Sequence, residues 1–125
     1  TDITYISVLL NELESSVVTE IYEAIPTEKK IKLLSSNIRD NLKEKIYDDL
    51  KTLEELNKMT IENLNIIFDF AKNHGHLEEI ITNIKGLTGV NEFLNQESRI
   101  NTTCLFINNL NFNKDSDKTI ITTYL

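Results

Sequence analysis

His74 and His76 flank Gly75, and Asp69, Glu78 and Glu79 lie close to them in the chain. Imidazole nitrogens and carboxylate oxygens are zinc donors, but an ion would need a third ligand converging on the two histidines. The same His-Gly-His run has a plainer reading, because glycine and polar residues suit a turn between helices. The plainer reading is the expectation. Cys104 is the second reactive candidate. A thiol becomes a nucleophile when a neighbouring histidine draws off its proton. Thr103-Cys104-Leu105-Phe106 carries no nucleophile motif and reads as a strand interior, where cysteine packs as a small hydrophobe. As the lone cysteine it can build neither an internal disulfide nor a cysteine metal site, which fits a reducing, intracellular setting. The three glycines form no Walker or dinucleotide pattern, so phosphate-cradling loops of those kinds are excluded. No cofactor, metal or catalytic residue is called for, and an enzyme is not expected.

Ile81-Thr82-Asn83-Ile84-Lys85-Gly86-Leu87-Thr88-Gly89-Val90 resembles the hairpin of helix-hairpin-helix modules. Such modules hold a nucleic-acid phosphate on backbone N–H groups between two short helices. The run inserts one residue into the usual glycine-apolar-glycine core and lacks the basic residues that usually follow. The resemblance implies Lys85, Gly86 and Gly89, in a turn at 84–90, as nucleic-acid contacts. It is the alternative reading. The plain one is a glycine-terminated helix followed by a Thr88-capped one. Asn101-Thr102-Thr103 matches the N-glycosylation sequon, as a chain rich in Asn and Thr will do by chance.

Charge narrows the partner. The net charge is −7, and residues 1–28 hold Asp2, Glu12, Glu14, Glu20, Glu23 and Glu28 with no Lys or Arg. The remainder is nearly balanced. An acidic first segment repels phosphate backbones and anionic lipid, so a nucleic acid or a membrane is a poor partner and a protein with a basic surface is a better one. The bland alternative is a solvated helix face. No apolar run approaches the ~20 residues of a membrane span, and no basic-then-apolar leader opens the sequence. A chain that begins at Thr1 reads as a processed product or a segment of a larger protein.

Apolar spacing supplies the elements that must position these groups. Ile3, Ile6, Leu9, Leu10, Leu13, Val17, Ile21 and Ile25 recur every three or four residues, which predicts one amphipathic helix from Ile3 to Ile25. Asp2 or Thr1 caps it and Pro26 stops it. Glu14 inside the stripe and Ser15–Ser16 beyond it mark a place where it can break. A second stripe runs from Ile31 through Leu42 and Leu53 to Leu56. It predicts helix over 28–34 after a Thr27 cap and over 37–57 after an Asn37 cap, and long antiparallel packing of these two segments is expected to supply much of the core. Thr60 caps a third helix carrying Ile61, Leu64, Ile67, Phe68 and Ala71, closed at His74–Gly75. Leu77 to Ile84 form a fourth, ended by Gly86, and Val90, Phe93 and Leu94 a fifth. The β-branched stretches 102–110 and 118–125 around a polar run at 111–117 predict a β-hairpin. A helix at 103–110 with a loose tail is the alternative.

The expected fold is a mainly α single domain over 1–125: a bundle of four to six helices with a C-terminal β-hairpin at about 102–125. Tyr5, Val8 and Tyr22 project away from the stripe of the first helix, as Leu33 and Tyr47 do from the second. Tyrosine beside acidic residues is a feature of protein-binding faces. Tyr5, Glu12, Glu20, Tyr22 and Glu23 are the candidate partner-binding residues, unless further helices cover them. The expected function is a non-catalytic protein-interaction or scaffold domain of a larger intracellular assembly.

Overall fold

The computed structural model describes residues 2–123, which form ten α-helices and one 3-10 turn and contain no strand. Asp2 caps the first helix, α1 (Ile3–Glu12), its carboxylate accepting from the Thr4 N–H at 2.7 Å. The alternative cap, Thr1, lies outside the described residues. The predicted rod does break, at Leu13 and Glu14, which are extended, and α2 (Ser15–Tyr22) restarts beyond them. Two contacts hold the break. Asn11 Nδ2 donates to Asn37 O at 2.7 Å, and Arg39 Nη2 donates to Asn11 O at 2.8 Å. The end of α1 is thus satisfied from outside the helix, and Glu14 turns into solvent instead of facing the core.

Pro26, not Thr27, occupies the N-cap of α3 (Thr27–Leu33), its carbonyl accepting from Lys29 and Lys30. The helix expected over 37–57 is shorter and split. Arg39 stands at the cap of α4 (Asp40–Leu50), and the chain opens at Lys51 before Thr52 caps α5 (Leu53–Leu56). The unbroken spacing concealed a competent cap: Thr52 Oγ1 accepts from Glu55 N. Leu53, read as core, is consequently left half-exposed against Gly86. Thr60 caps α6 (Ile61–Asn73) as expected, accepting from Asn63 N at 3.2 Å. Gly75 closes it at φ +80°, a left-handed conformation that costs glycine nothing. Next come α7 (Leu77–Lys85) and α8 (Val90–Leu94), the latter capped by Gly89 rather than Thr88.

The expected hairpin is not there. A 3-10 turn (Glu97–Arg99) leads into α9 (Ile100–Asn108), and α10 (Asp115–Thr122) follows where the second strand was expected. Its last residues, Tyr124 and Leu125, lie outside the described residues. Burial overrides β-propensity here. Phe106 is fully buried, and Thr103 Oγ1 donates to Leu94 O at 2.7 Å, fixing α9 against α8. In α10 the threonine hydroxyls bond back to carbonyls one turn earlier, Thr119 to Asp115 and Thr122 to Lys118.

The core centres on α6, which contacts α3, α4 and α7. It buries Leu64, Ile67, Phe68 and Ala71 on one stripe and Asn63 and Phe70 on an adjoining one. Around it lie Ile31, Leu33, Ile46, Tyr47, Ile80 and Phe93. Ten α-helices among the described residues stand where a bundle of four to six was expected. Arg99 is the awkward member of the core: its guanidinium sits 4.2 Å from the Phe93 ring centroid, with Nε and Nη2 buried and unpaired among the described residues. Burial lowers its affinity for its proton, against the pull of Asp69. The left-handed turn gives a direct check. Gly75→Ala has open space for its methyl group but must adopt the strained φ, so urea denaturation is expected to show a loss of about 1 kcal/mol.

Candidate functional site

Three places hold the residues on which a function could rest. The first is the set of exposed residues on α1 and α2. Tyr5 and Val8, three residues apart, are 57% and 54% exposed, and Glu12 follows one turn later. Beside them an open groove of about 450 Å³ runs between α1 and the turn that ends α3. Glu20 and Glu23 are exposed on α2. Tyr22 belongs elsewhere. It is 1% exposed, its hydroxyl donates to Asp49 Oδ2 at 2.6 Å, and Lys30 Nζ lies 4.0 Å from its ring centroid. Burial and the bond to Asp49 push its ionisation far above the ordinary tyrosine range. Leu33 and Tyr47 are likewise buried, because α6 and α7 supply the covering layer that the isolated stripes do not reveal.

The carboxylates of this first segment differ from the rest. Glu12, Glu14, Glu20 and Glu23 form no ion pair among the described residues. Elsewhere Glu28 pairs with Lys32, Asp48 and Glu79 with Lys51, Glu54 and Glu55 with Lys58, and Asp117 with Lys85. Three cations are engaged by other groups. Arg39 caps α1, while Lys30 and Lys45 lie over the Tyr22 ring.

The second place is a polar cleft of about 480 Å³ between α4 and α7, which sequence reasoning missed. His76 Nε2 lies 2.7 Å from Glu44 Oε2, and its ring stacks on Tyr47 with centroids 4.7 Å apart. The Tyr47 hydroxyl donates to Glu79 Oε1 at 2.9 Å, and Lys51 Nζ bridges Glu79 at 3.0 Å and Asp48 at 2.7 Å. Hydrogen bonds from Lys51 and Tyr47 hold the Glu79 carboxyl below its ordinary range, and burial pushes the Tyr47 phenol well above its own. Of its members, His76, Glu79 and the off-stripe Tyr47 carried a signal in the sequence; Glu44 meets His76 across 32 residues, a distance no local pattern spans. His74 turns away, stacking on Phe70 at 4.0 Å with Nδ1 2.9 Å from the Phe70 carbonyl. The two histidines therefore do not converge, and no cluster of three or more metal-ligating side chains occurs among the described residues. The cleft lining includes no Ser, Thr or Cys that His76 could activate. Cys104 is exposed on α9, in a shallow depression without histidine, and not in a strand interior.

The third place is the glycine turn between α7 and α8. Lys85 Nζ is committed to Asp117, 3.4 Å away and buried. The N–H groups of Gly86, Leu87 and Val90 donate to the carbonyls of Asn83, Ile84 and Leu87, and that of Thr88 to Asn57 Oδ1. A Cβ on Gly86 would meet the end of the Leu53 side chain at 2.9 Å, while Gly89 has open space. The donors that a phosphate would need are largely spent inside the fold.

Two consequences can be measured. Tyr47→Phe removes one hydrogen bond but leaves Lys51 on Glu79, so a destabilisation of about 1 kcal/mol is expected in denaturant titrations. Asp117 accepts the Asn111 N–H at 2.9 Å and faces Lys85, which together hold its carboxyl below the ordinary value. A folded-state pKa below the unfolded one contributes stability that is present above the unfolded value and lost as pH falls. Asp117→Asn is therefore expected to weaken the protein at neutral pH, the gap to the parent chain narrowing below about pH 4. Equilibrium unfolding across that range reads it directly.

No helix among the described residues is long and apolar enough to cross a membrane. Compared with protein-family models, curated proteins and solved structures, the chain matches none.

Proposed function

We propose that the chain is a non-catalytic protein-interaction domain that presents its α1–α2 face to a partner with a basic surface, within a larger intracellular assembly. The observation that supports this reading is the exposure of Tyr5 and Val8 on a segment whose carboxylates, Glu12, Glu20 and Glu23, form no ion pair among the described residues. Apolar side chains left in water beside unscreened charge are the raw material of a recognition surface, since burial on a partner returns the hydrophobic free energy and cations on that partner meet the field. The corrected face consists of Tyr5, Val8, Glu12, Glu20 and Glu23, without Tyr22.

The α4–α7 cleft speaks less for catalysis, because its charged groups are paired with one another and no nucleophile adjoins His76. The nucleic-acid alternative at 84–90 is weakened by the Lys85–Asp117 pair and by the net charge of −7.

A photo-crosslinking side chain at Val8, compared with one at exposed Asn73, tests the proposal in extracts of the cells that make the protein. Adducts are expected from Val8 only, diminishing as salt screens the carboxylates and disappearing in the triple variant Glu12→Lys, Glu20→Lys, Glu23→Lys. Equal labelling from both positions, or labelling indifferent to charge reversal, would retire the reading.

A further inference from the structure

We infer that the groove between the α5–α6 turn and the α7–α8 turn seats a short apolar segment of a partner protein, one that carries lysine or arginine beside its apolar side chains. This surface shares no residue with the α1–α2 face.

The bed of the groove is apolar. Leu56, Leu64 and Leu87 are buried beneath it, Met59 and Ile61 pack half-buried on the same core, and about 630 Å³ lies open over them. A space of that size holds roughly twenty waters. An apolar side chain that displaces them gains hydrophobic free energy in proportion to the area it covers. Met59 adds adaptability, since an unbranched thioether adjusts to the side chain it meets. The polar groups of the walls are partly spent within the fold. Asn57 Oδ1 accepts the Thr88 N–H at 3.1 Å, and Thr60 Oγ1 accepts the Asn63 N–H at 3.2 Å. The first of these bonds also ties one wall to the other, so the bed is formed before anything binds, which lowers the ordering cost of association. Gly89 lines the groove with open space before it, which leaves the mouth unobstructed at the start of α8. A small molecule in so open a groove would stay largely in water, whereas side chains projecting from a partner arrive with their own backbone as cover.

Charge selects the occupant. Among the described residues Glu92 is the only charged group in the groove lining, and it is exposed and forms no ion pair. Glu62, next to Ile61 in the chain, is likewise exposed and without an ion pair among the described residues. Lys58, which precedes Met59, is held by Glu54 at 3.9 Å and Glu55 at 3.6 Å and does not offset them. An apolar bed edged by carboxylate, with no cation in its lining, complements apolar side chains accompanied by a cation. A second copy would bring a further net charge of −7, and phosphate or anionic lipid would be repelled.

The test uses the full chain, isotope-labelled at its methyl groups, titrated at low salt with a short synthetic peptide of Leu and Lys and with its counterpart of Leu and Glu. Shifts are expected at Met59, Ile61, Leu64 and Leu87, with the Leu–Glu peptide binding about tenfold more weakly or worse. Gly89→Trp fills the mouth at a backbone φ of −101°, which other residues adopt, and is expected to weaken binding by about tenfold. Glu92→Lys is expected to narrow the preference between the two peptides, while Glu97→Lys, the same change of charge outside the groove, leaves it standing. The inference is overturned if both peptides bind the parent chain equally, if neither binds, or if the shifts map to another face. Undiminished binding by a Gly89→Trp chain with a folded methyl spectrum would overturn it too, as would an equal effect of Glu97→Lys. Its failure would leave the α1–α2 reading standing, because adducts at Val8 do not pass through this groove.

Discussion

Helix α6 buries two adjoining stripes at once, Leu64, Ile67, Phe68 and Ala71 on one and Asn63 and Phe70 on the other. A helix that is apolar around much of its circumference cannot rest on a single neighbour and must be enclosed. That requirement explains why α3, α4 and α7 all meet it, and why Leu33 on α3 and Tyr47 on α4 are drawn inward. It also explains the polar fittings at its edges. Asn63 is held by Glu28 on α3 at 2.8 Å, and the Tyr47 ring, 5.6 Å from Phe70, keeps its hydroxyl on Glu79. Tyr22 and Tyr47 each bury the ring and hand the one polar atom to a surface carboxylate, Asp49 and Glu79, which satisfies the hydroxyl and keeps the charge in water.

Local signals in the sequence identified the third and fourth helices almost to their ends, because Thr60, Gly75 and Gly86 act within a turn of where they stand. The break in the first segment was foreseeable from Glu14, which no apolar stripe would bury. The division between α4 and α5 was hidden by continuous leucine spacing across Lys51, since periodicity records which face is apolar and not whether the axis changes direction. The C-terminal error has another origin. Threonine, isoleucine and phenylalanine favour strands in isolation, yet Phe106 gains more from its seat beside α8 than the backbone loses in helix. Of the candidate face, the exposure of Tyr5 and the glutamates was legible, and the burial of Tyr22 was not, because the covering residues lie 8 to 27 positions away. The α4–α7 network was invisible for the same reason: its members are joined across the core, not along the chain.

The molecule divides its charge unevenly. From α3 onward many carboxylates have a lysine or histidine within reach, an arrangement that fixes side chains without contributing much stability at an exposed surface. Along α1 and α2 the carboxylates have no ion-pair partner among the described residues, and their effect extends beyond contact distance to roughly a Debye length. A field of that kind acts mainly on how quickly and in which orientation a charged partner arrives, while Tyr5 and Val8 would govern how long it stays.

The attachment of α10 has a further consequence. Its firmest anchor is a charged group, Asp117, taken out of solvent against Lys85 and the Asn111 N–H, whereas Ile120 and Ile121 remain only partly covered. Local opening of this helix exposes little apolar surface, so its amides exchange with solvent by an event separate from the global unfolding that governs α6. The two ends of the fold answer to different solvents. Urea, which acts on newly exposed area, bears chiefly on the global event, while acid that protonates Asp117 is expected to release the last helix first.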